Sequence, residues 1–434
     1  MASEIEYTAC DCSFVSKNGK PETDPNDKFL LKVRNTSKSI YCFSVSKHER
    51  DKESEPVVFF DYEARKWRSG RYIGNVEWNN GRERYSLTIE PRFGENILLE
   101  MFGEIFNLKL SGGKSSLKSN RSSLYIKMLV SFIWSQKLVE ANRHGLPRNR
   151  TTINTRGYSV KGKLMIKPSI FSYVRNRTII SQSHEMTYDE KVVTIVSLAY
   201  NVLKKDYAFE QLSLSPNIKN MISDIERIGH NIKSFRITEK DYQSINYRPI
   251  YQSFKDLVDF SWQIINSSMG MNAQNQGSKV SGYLIDMAEV WECYIRSLVQ
   301  KQLKVFGWKL IDSTFIAYET LFYQRRLIPD IVLEKDGAFC VFDAKYKKMM
   351  YRGIDVDRED FFQIHTYISY MQHLGTVKFA GLLYPVEKDF GLINTSTSLY
   401  NLRDTCKFIA DGPIISKENI DKEHFFEVIK KGIM

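Results

Sequence analysis

The sequence predicts an α+β multidomain protein with a β-rich N-terminal domain, a mainly helical middle region and a C-terminal α/β domain whose mixed sheet is flanked by helices. Three observations predict it. Short β-branched and aromatic runs separated by turn signals fill residues 1–110. Apolar residues at three- and four-residue spacing dominate 124–270, and 271–434 reads as helix, strand, strand, strand, helix, strand. With 434 residues, 42% hydrophobic and 26% charged, the chain is long enough and apolar enough for several folded domains.

The N-terminal runs FLLKV, SIYCFSV, PVVFF, RYIGNVEW and RYSLTIEP read as strands, with a turn at Asn79-Asn80-Gly81. The segment ENILLEMFGEIFNLKL reads as a short helix closing the domain. Residues 111–123, SGGKSSLKSNRSS, are small, polar and basic, the composition of a linker. They include Gly113-Lys114-Ser115, but a phosphate-binding loop would also need glycine at 108, where Leu108 stands. In the middle region SLYIKMLVSFIWSQKLVEA, VVTIVSLAYNVLKK and FKDLVDFSWQIIN read as helices, and GYSVKGKLMIKPS as a hairpin.

A net charge of +11 favours a polyanionic partner, nucleic acid first. Candidate DNA contacts are the basic aromatic run Arg65, Lys66, Trp67, Arg68 and Arg71, then Arg175 and Arg177, then Lys347 and Lys348. The six cysteines are scattered without a zinc pattern and read as free thiols. No run approaches the roughly 18 to 20 apolar residues of a bilayer span. The first residues lack a basic and apolar leader pattern, so a cytoplasmic protein without a membrane partner is expected.

The chemistry concentrates in RRLIPDIVLEKDGAFCVFDAKYK, residues 325–347. Asp336-Gly337 suits a two-residue type I′ turn, which pairs Lys335 with Ala338 and sets Asp330 opposite Asp343. Lys345 shares their face by strand alternation. Two opposed carboxylates in an apolar hairpin repel unless a cation neutralises them. Hard oxygen ligands without His or Cys favour Mg²⁺, with Mn²⁺ as a substitute. Such an ion activates water and neutralises charge on a phosphodiester, while Lys345 stabilises the transition state or orients the nucleophile. The same spacing also suits two solvent-facing strand carboxylates with Lys345 as a surface ion-pair partner.

The first helix of the last domain is read from GYLIDMAEVWECYIRSLVQKQL, with Leu284, Met287, Trp291, Ile295 and Leu298 on one stripe and Glu292 beside it. The segment GWKLIDSTFIAY reads as one strand. The helix DFFQIHTYISYMQHL is expected to pack through Phe361, Ile364, Ile368 and Met371, with Gln363 and Tyr367 together on one side.

Pro329-Asp330, Asp343-Ala344-Lys345 and the Gln363 and Tyr367 helix resemble the PD-(D/E)XK nuclease superfamily. Within it, RRLIPDIVL, VFDAKYK, DFFQIHTYISYM and MAEVWECYI are similar to McrC, the nuclease subunit of modification-dependent McrBC restriction systems. HGLPRNRTTINTRGYSVKGKLMI, with Gly145, Leu146, Arg148 and Gly162, and RYSLTIEPRFGENILLEMF extend the likeness over residues 70–385, most closely from 280. The resemblance implies a PD-(D/E)XK fold for 271–434 and a Mg²⁺-dependent DNA endonuclease. Asp330 and Asp343 would be its metal ligands, Glu292 a third carboxylate, and Lys345, Gln363 and Tyr367 its other catalytic residues. It further implies double-stranded DNA as substrate, residues 1–110 as the docking and activating domain, and a McrB-like AAA+ GTPase, a hexameric ring, as partner. A decayed nuclease fold that docks on and stimulates such a motor, and an RNA-directed or single-strand nuclease of the same fold, are the alternatives.

Overall fold

A computed structural model describes residues 3–36, 41–43, 45, 55–80, 83–106, 121–207, 209–212, 214–231, 237–272, 280–320, 322–347, 356–387, 397–401, 406–416 and 418–433. Gly81 of the expected turn, most of the linker read at 111–123, and Lys348 lie outside these residues. The helix that follows the linker starts at Arg121. Two compact units result: Met1–Ile126 with Met269–Met434, and Lys127–Ser268. The segments read as first and last domains therefore share one unit.

That unit holds two main sheets. The first has seven strands in the order Lys20–Pro21, Ser16–Lys17, Ser3–Cys10, Glu83–Glu90, Tyr72–Asn79, Ser281–Asp286 and Tyr41–Phe43. Its fifth and sixth strands approach closely enough to require glycine: a Cβ on Gly282 would lie 2.4 Å from the Asn75 carbonyl oxygen. Tyr7, Phe29, Val33, Trp67, Leu87 and Leu284 pack its core. Two readings are corrected here. FLLKV is helical, within Lys28–Thr36, because Asp27 Oδ1 accepts from the amides of Phe29 and Leu30 and caps the first turn. Leu284 belongs to a strand; the helix begins at Met287, where Asp286 Oδ1 accepts from the Ala288 amide.

The second sheet runs Lys309–Leu310, Ile331–Lys335, Ala338–Ala344, Thr376–Leu383, Lys407–Asp411 and Thr397–Ser398. Ala338–Ala344 is antiparallel to Ile331–Lys335 and parallel to Thr376–Leu383, which is parallel to Lys407–Asp411. The helix Arg358–Leu374 covers one face through Ile364, Tyr367, Ile368 and Met371, which pack with Phe339, Val341 and Ala380. Phe361, expected in that stripe, is 36% exposed, and Tyr367 takes the buried place. Trp291 of Met287–Lys304 donates from Nε1 to the Leu383 carbonyl at 3.0 Å. GWKLIDSTFIAY splits into Lys309–Leu310 and Phe315–Glu319, and the latter pairs with Gln324–Leu327 in a separate hairpin. Pro329 lacks the amide a ladder needs, and it stands between that hairpin and the strand from Ile331.

The second unit carries the helices Glu190–Asp206 and Pro216–Asn231, parts of Arg121–Ala141 and Phe254–Asn272, and a three-stranded sheet. Trp134 Nε1 donates to Ser261 Oγ at 2.9 Å inside its core. The long strands are Arg148–Gly157 and Ile179–Tyr188; of the hairpin read at GYSVKGKLMIKPS, Gly157 ends the first long strand, Lys163–Leu164 is a two-residue strand, and Ile166–Asn176 is a helix.

Candidate active site

Asp336 and Gly337 take φ of 51° and 75°, the left-handed pair of a type I′ turn. Pairing runs from Lys335 with Ala338 to Ile331 with Phe342, so one further step sets Asp330 against Asp343. Asp330 leaves the ladder. Its Oδ2 accepts from the Ala344 amide at 2.7 Å, and its carbonyl accepts from Arg296 Nη1 at 2.9 Å.

Asp343 is 1% exposed near the carboxyl end of the central strand. It shares strand parity with Phe339 and Val341 and so faces the helix Arg358–Leu374. Burial, then the neighbouring Asp330 charge, pushes its carboxyl up to about 7 against the pull of Lys345.

The Lys345 amide donates to the Leu383 carbonyl at 2.9 Å, which extends the parallel ladder past the strand end. Its Nζ lies 2.7 Å from Asp343 Oδ2 and 3.6 Å from Asp360 Oδ1, and donates to Gln363 Oε1 at 2.6 Å. Burial alone would lower the ammonium, but Asp343, Asp360 and Asp330 together hold it above its ordinary value. Lys345 is therefore a fixed positive charge rather than a base. Gln363 Nε2 donates to Tyr367 Oη at 2.9 Å, and Tyr367 Oη donates to the Ile328 carbonyl at 3.5 Å. This chain of bonds ties the lysine head to the residue two before Asp330.

Glu292 is buried at 6% exposure, one turn before Arg296. Among the described residues it does not join Asp330 and Asp343 in a cluster of three side chains able to hold a metal ion. The two aspartates still suit Mg²⁺. That ion keeps several waters and takes only one or two protein carboxylates beside substrate phosphate, and Asp343 Oδ2, despite its contact with Lys345, accepts no well-aligned hydrogen bond. Zn²⁺, which prefers closed sets of His and Cys, fits poorly.

Two groups escaped the sequence reading. Asp360 is 5% exposed, and its Oδ2 accepts from Tyr384 Oη at 2.9 Å and lies 2.8 Å from Lys347 Nζ. Its one sequence signal is its place a turn before Gln363. Next to Lys345, the Tyr346 ring lies 4.3 Å from the guanidinium of Arg92. The Arg92 amide donates to the fully buried Asp11 Oδ1 at 2.6 Å. These residues come from segments far apart in sequence, and no local pattern marks them.

The candidate DNA contacts scatter. Lys347 Nζ is held between Asp357 and Asp360 at 3.1 and 2.8 Å. Trp67 is fully buried and donates to the Asp24 carbonyl, because alternation in Lys66–Ser69 turns it inward; it cannot stack on a base. Arg71 pairs with Asp286 at 3.1 Å and Glu55 at 3.5 Å, while Arg68 covers the Phe14 ring and lies 3.8 Å from Asp61. Arg65 takes φ of 49°, and Lys66 stands over the Phe14 ring. In the second unit Arg175 sits in the last turn of its helix, and Arg177 is the left-handed cap.

A mixed sheet with a carboxylate pair and a lysine at the end of its central strand defines a class of α/β protein with a built ionic site. Residues 67–385 match the family described as McrBC 5-methylcytosine restriction system component, and the chain belongs to it. Its fold is similar to that of a chain in a Thermococcus gammatolerans half-complex, from a tetradecameric assembly of McrB AAA+ hexamers with bound McrC. The likeness covers 99% of each chain at 14% identity and a TM-score of 0.50. A structure of the McrBC complex from that organism is similar over 69% of this chain and 88% of that one, at 14% identity and a TM-score of 0.37. No curated protein matches the sequence. Among the described residues no helix is long and apolar enough to cross a membrane.

Proposed function

We propose that the chain is the metal-dependent DNA endonuclease subunit of a McrBC-like restriction complex, of PD-(D/E)XK type, acting on duplex DNA with a McrB-like AAA+ GTPase ring. One observation carries the reading: a buried carboxylate, Asp343, is driven up to about 7 beside a second carboxylate, with a lysine 2.7 Å away. Structural needs alone do not favour setting the half-buried Asp330 beside a fully buried carboxylate. A phosphodiesterase site does.

Asp330 and Asp343 would hold Mg²⁺. When bound, the ion supplies a lowered water pKa and neutralises charge developing on the phosphate. The chain's own groups do the rest. Lys345 keeps its proton and presents a positive charge at Nζ to the oxygens of the transition state. Gln363 and Tyr367 fix the direction of that charge, and Asp360 shares its balance. Arg296 holds the Asp330 main chain, so the carboxylate keeps its bearing as substrate enters.

The test is cleavage of modified duplex DNA by the chain with its partner ring, GTP and Mg²⁺. Asp343→Ala is expected to abolish cleavage while DNA binding and partner GTP hydrolysis persist. Unchanged cleavage would remove the site from consideration.

A further inference from the structure

The strand end that carries Lys345 is held from both sides of its sheet. The Leu383 carbonyl accepts from the Lys345 amide at 2.9 Å and from Trp291 Nε1 at 3.0 Å. Lys345 reaches Gln363 on the helix Arg358–Leu374, while Tyr346, 5% exposed, turns the other way and sets its ring 6.4 Å from that of Trp291 on Met287–Lys304. Two residues before Tyr346, the Ala344 amide donates to Asp330 Oδ2 at 2.7 Å. A shift of Tyr346 therefore moves the lysine and loosens the carboxylate together.

The Tyr346 ring is gripped by a residue from a distant part of the sequence. Arg92 stands in the turn after the strand Glu83–Glu90, where the Gly94 amide donates to the Pro91 carbonyl at 2.9 Å. Its guanidinium lies 4.3 Å from the centre of the Tyr346 ring and 4.6 Å from that of Phe93, and these two rings meet edge to face at 6.2 Å. Asp11 holds Arg92 from behind: Oδ1 accepts from the Arg92 amide at 2.6 Å, and Oδ2 lies 3.7 Å from Nε. Asp11 is fixed in turn, since its own amide donates to the Glu90 carbonyl at 2.9 Å.

As a stabiliser this ion pair is poorly used. A separation of 3.7 Å is too long for a hydrogen bond, and a buried pair contributes little once the desolvation of both charges is counted. What the guanidinium does have is two aromatic rings, and a cation over a ring is attracted most strongly where water is excluded, as it is around a side chain 7% exposed. Its geometry serves the Tyr346 ring, and through that ring the strand end.

We infer that Arg92 is a positioning residue for the lysine of the site: set over Tyr346 and anchored by Asp11, it fixes the main chain from Ala344 to Tyr346, and with it the places of Lys345 and Asp330. Its effect on cleavage rests on the nuclease reading above, whereas the hold on the strand end does not.

The experiment uses the full chain with Asp11→Asn and Arg92→Leu together, which removes both charges without stranding a buried carboxylate and keeps an acceptor for the amide of residue 92. Hydrogen exchange read by mass spectrometry is expected to show the amides of Ala344 and Lys345 exchanging about tenfold faster, with Glu83–Glu90 unchanged. With the partner ring, GTP and Mg²⁺, single-turnover cleavage at saturating DNA is expected to fall about tenfold to a hundredfold, while DNA affinity and partner GTP hydrolysis hold. The conservative variant Tyr346→Phe keeps a ring under the cation and should retain the wild-type exchange and rate. Unchanged exchange at Ala344 and Lys345 in the paired variant would overturn the inference. So would faster exchange spread through Glu83–Glu90 as well, which is lost support for the fold, or an equal loss in Tyr346→Phe, which would give the hold to the hydroxyl. Local loosening with a wild-type cleavage rate would also overturn it. If the wild-type chain cleaves nothing while the paired variant loosens locally, the nuclease reading fails and the hold on Lys345 stands.

Discussion

Asp343→Asn is expected to stabilise the metal-free protein while silencing it. The folded state holds the Asp343 proton up to about pH 7, against an ordinary value of 3.8. Ionising it in place costs about 4 kcal/mol, from roughly 1.36 kcal/mol for each step of pH between the two values. The sign follows from proton counting. Because the folded value is raised, the native state binds more protons than the unfolded chain between about pH 4 and 7. Wild-type stability therefore falls as pH rises through that window and levels off above it. Asparagine carries no such charge but leaves a buried amide imperfectly partnered, at about 1–3 kcal/mol. The variant should be the more stable by about 1–3 kcal/mol at pH 8, and equal or slightly weaker near pH 4.5. Urea unfolding in EDTA at both pH values measures this, and added Mg²⁺ at pH 8 should stabilise only the wild type. A variant less stable at pH 8, or a difference that ignores pH, would refute the reasoning.

Gln363→Ala frees the Lys345 head from its link to Tyr367 and should slow cleavage about tenfold to a hundredfold with little change in DNA affinity, read by single-turnover kinetics. Gly282→Ala places a methyl 2.4 Å from the Asn75 carbonyl and is expected to cost about 2–4 kcal/mol, measured as a lowered urea midpoint.

The site was legible where its logic is local. Asp336-Gly337 dictates the turn, the turn dictates the register, and the register brings Asp330 and Asp343 together. Reading failed where one pattern served two structures. Leu284 continues the helical stripe of Met287 and Trp291, and only the cap at Asp286 marks the real boundary. In FLLKV the apolar run suited a strand, and the deciding signal was the aspartate before it. Trp67 looked exposed because its neighbours are basic, yet strand alternation places those neighbours outside and the ring inside. Arg296 and Arg92 were invisible because their partners come from other segments, a tertiary fact with no sequence period, and Asp360 had only its place a turn before Gln363 to mark it.

The place of Ser281–Asp286 between Tyr72–Asn79 and Tyr41–Phe43 has a consequence for how the chain is made. Tyr41–Phe43 leaves the ribosome about 240 residues before its sheet partner, a wait of roughly 12–48 s at ordinary elongation rates. Once made, Tyr72–Asn79 offers for the rest of that interval an open edge that carries Ile73 and Val76, both fully buried in the finished fold, the kind of edge that pairs with other chains. The whole of Lys127–Ser268 is synthesised meanwhile, so that unit can fold before the sheet that precedes it is complete. Nascent chains stalled before Ser281 are thus the species most exposed to aggregation, and the chaperone demand of this protein falls in the middle of its synthesis.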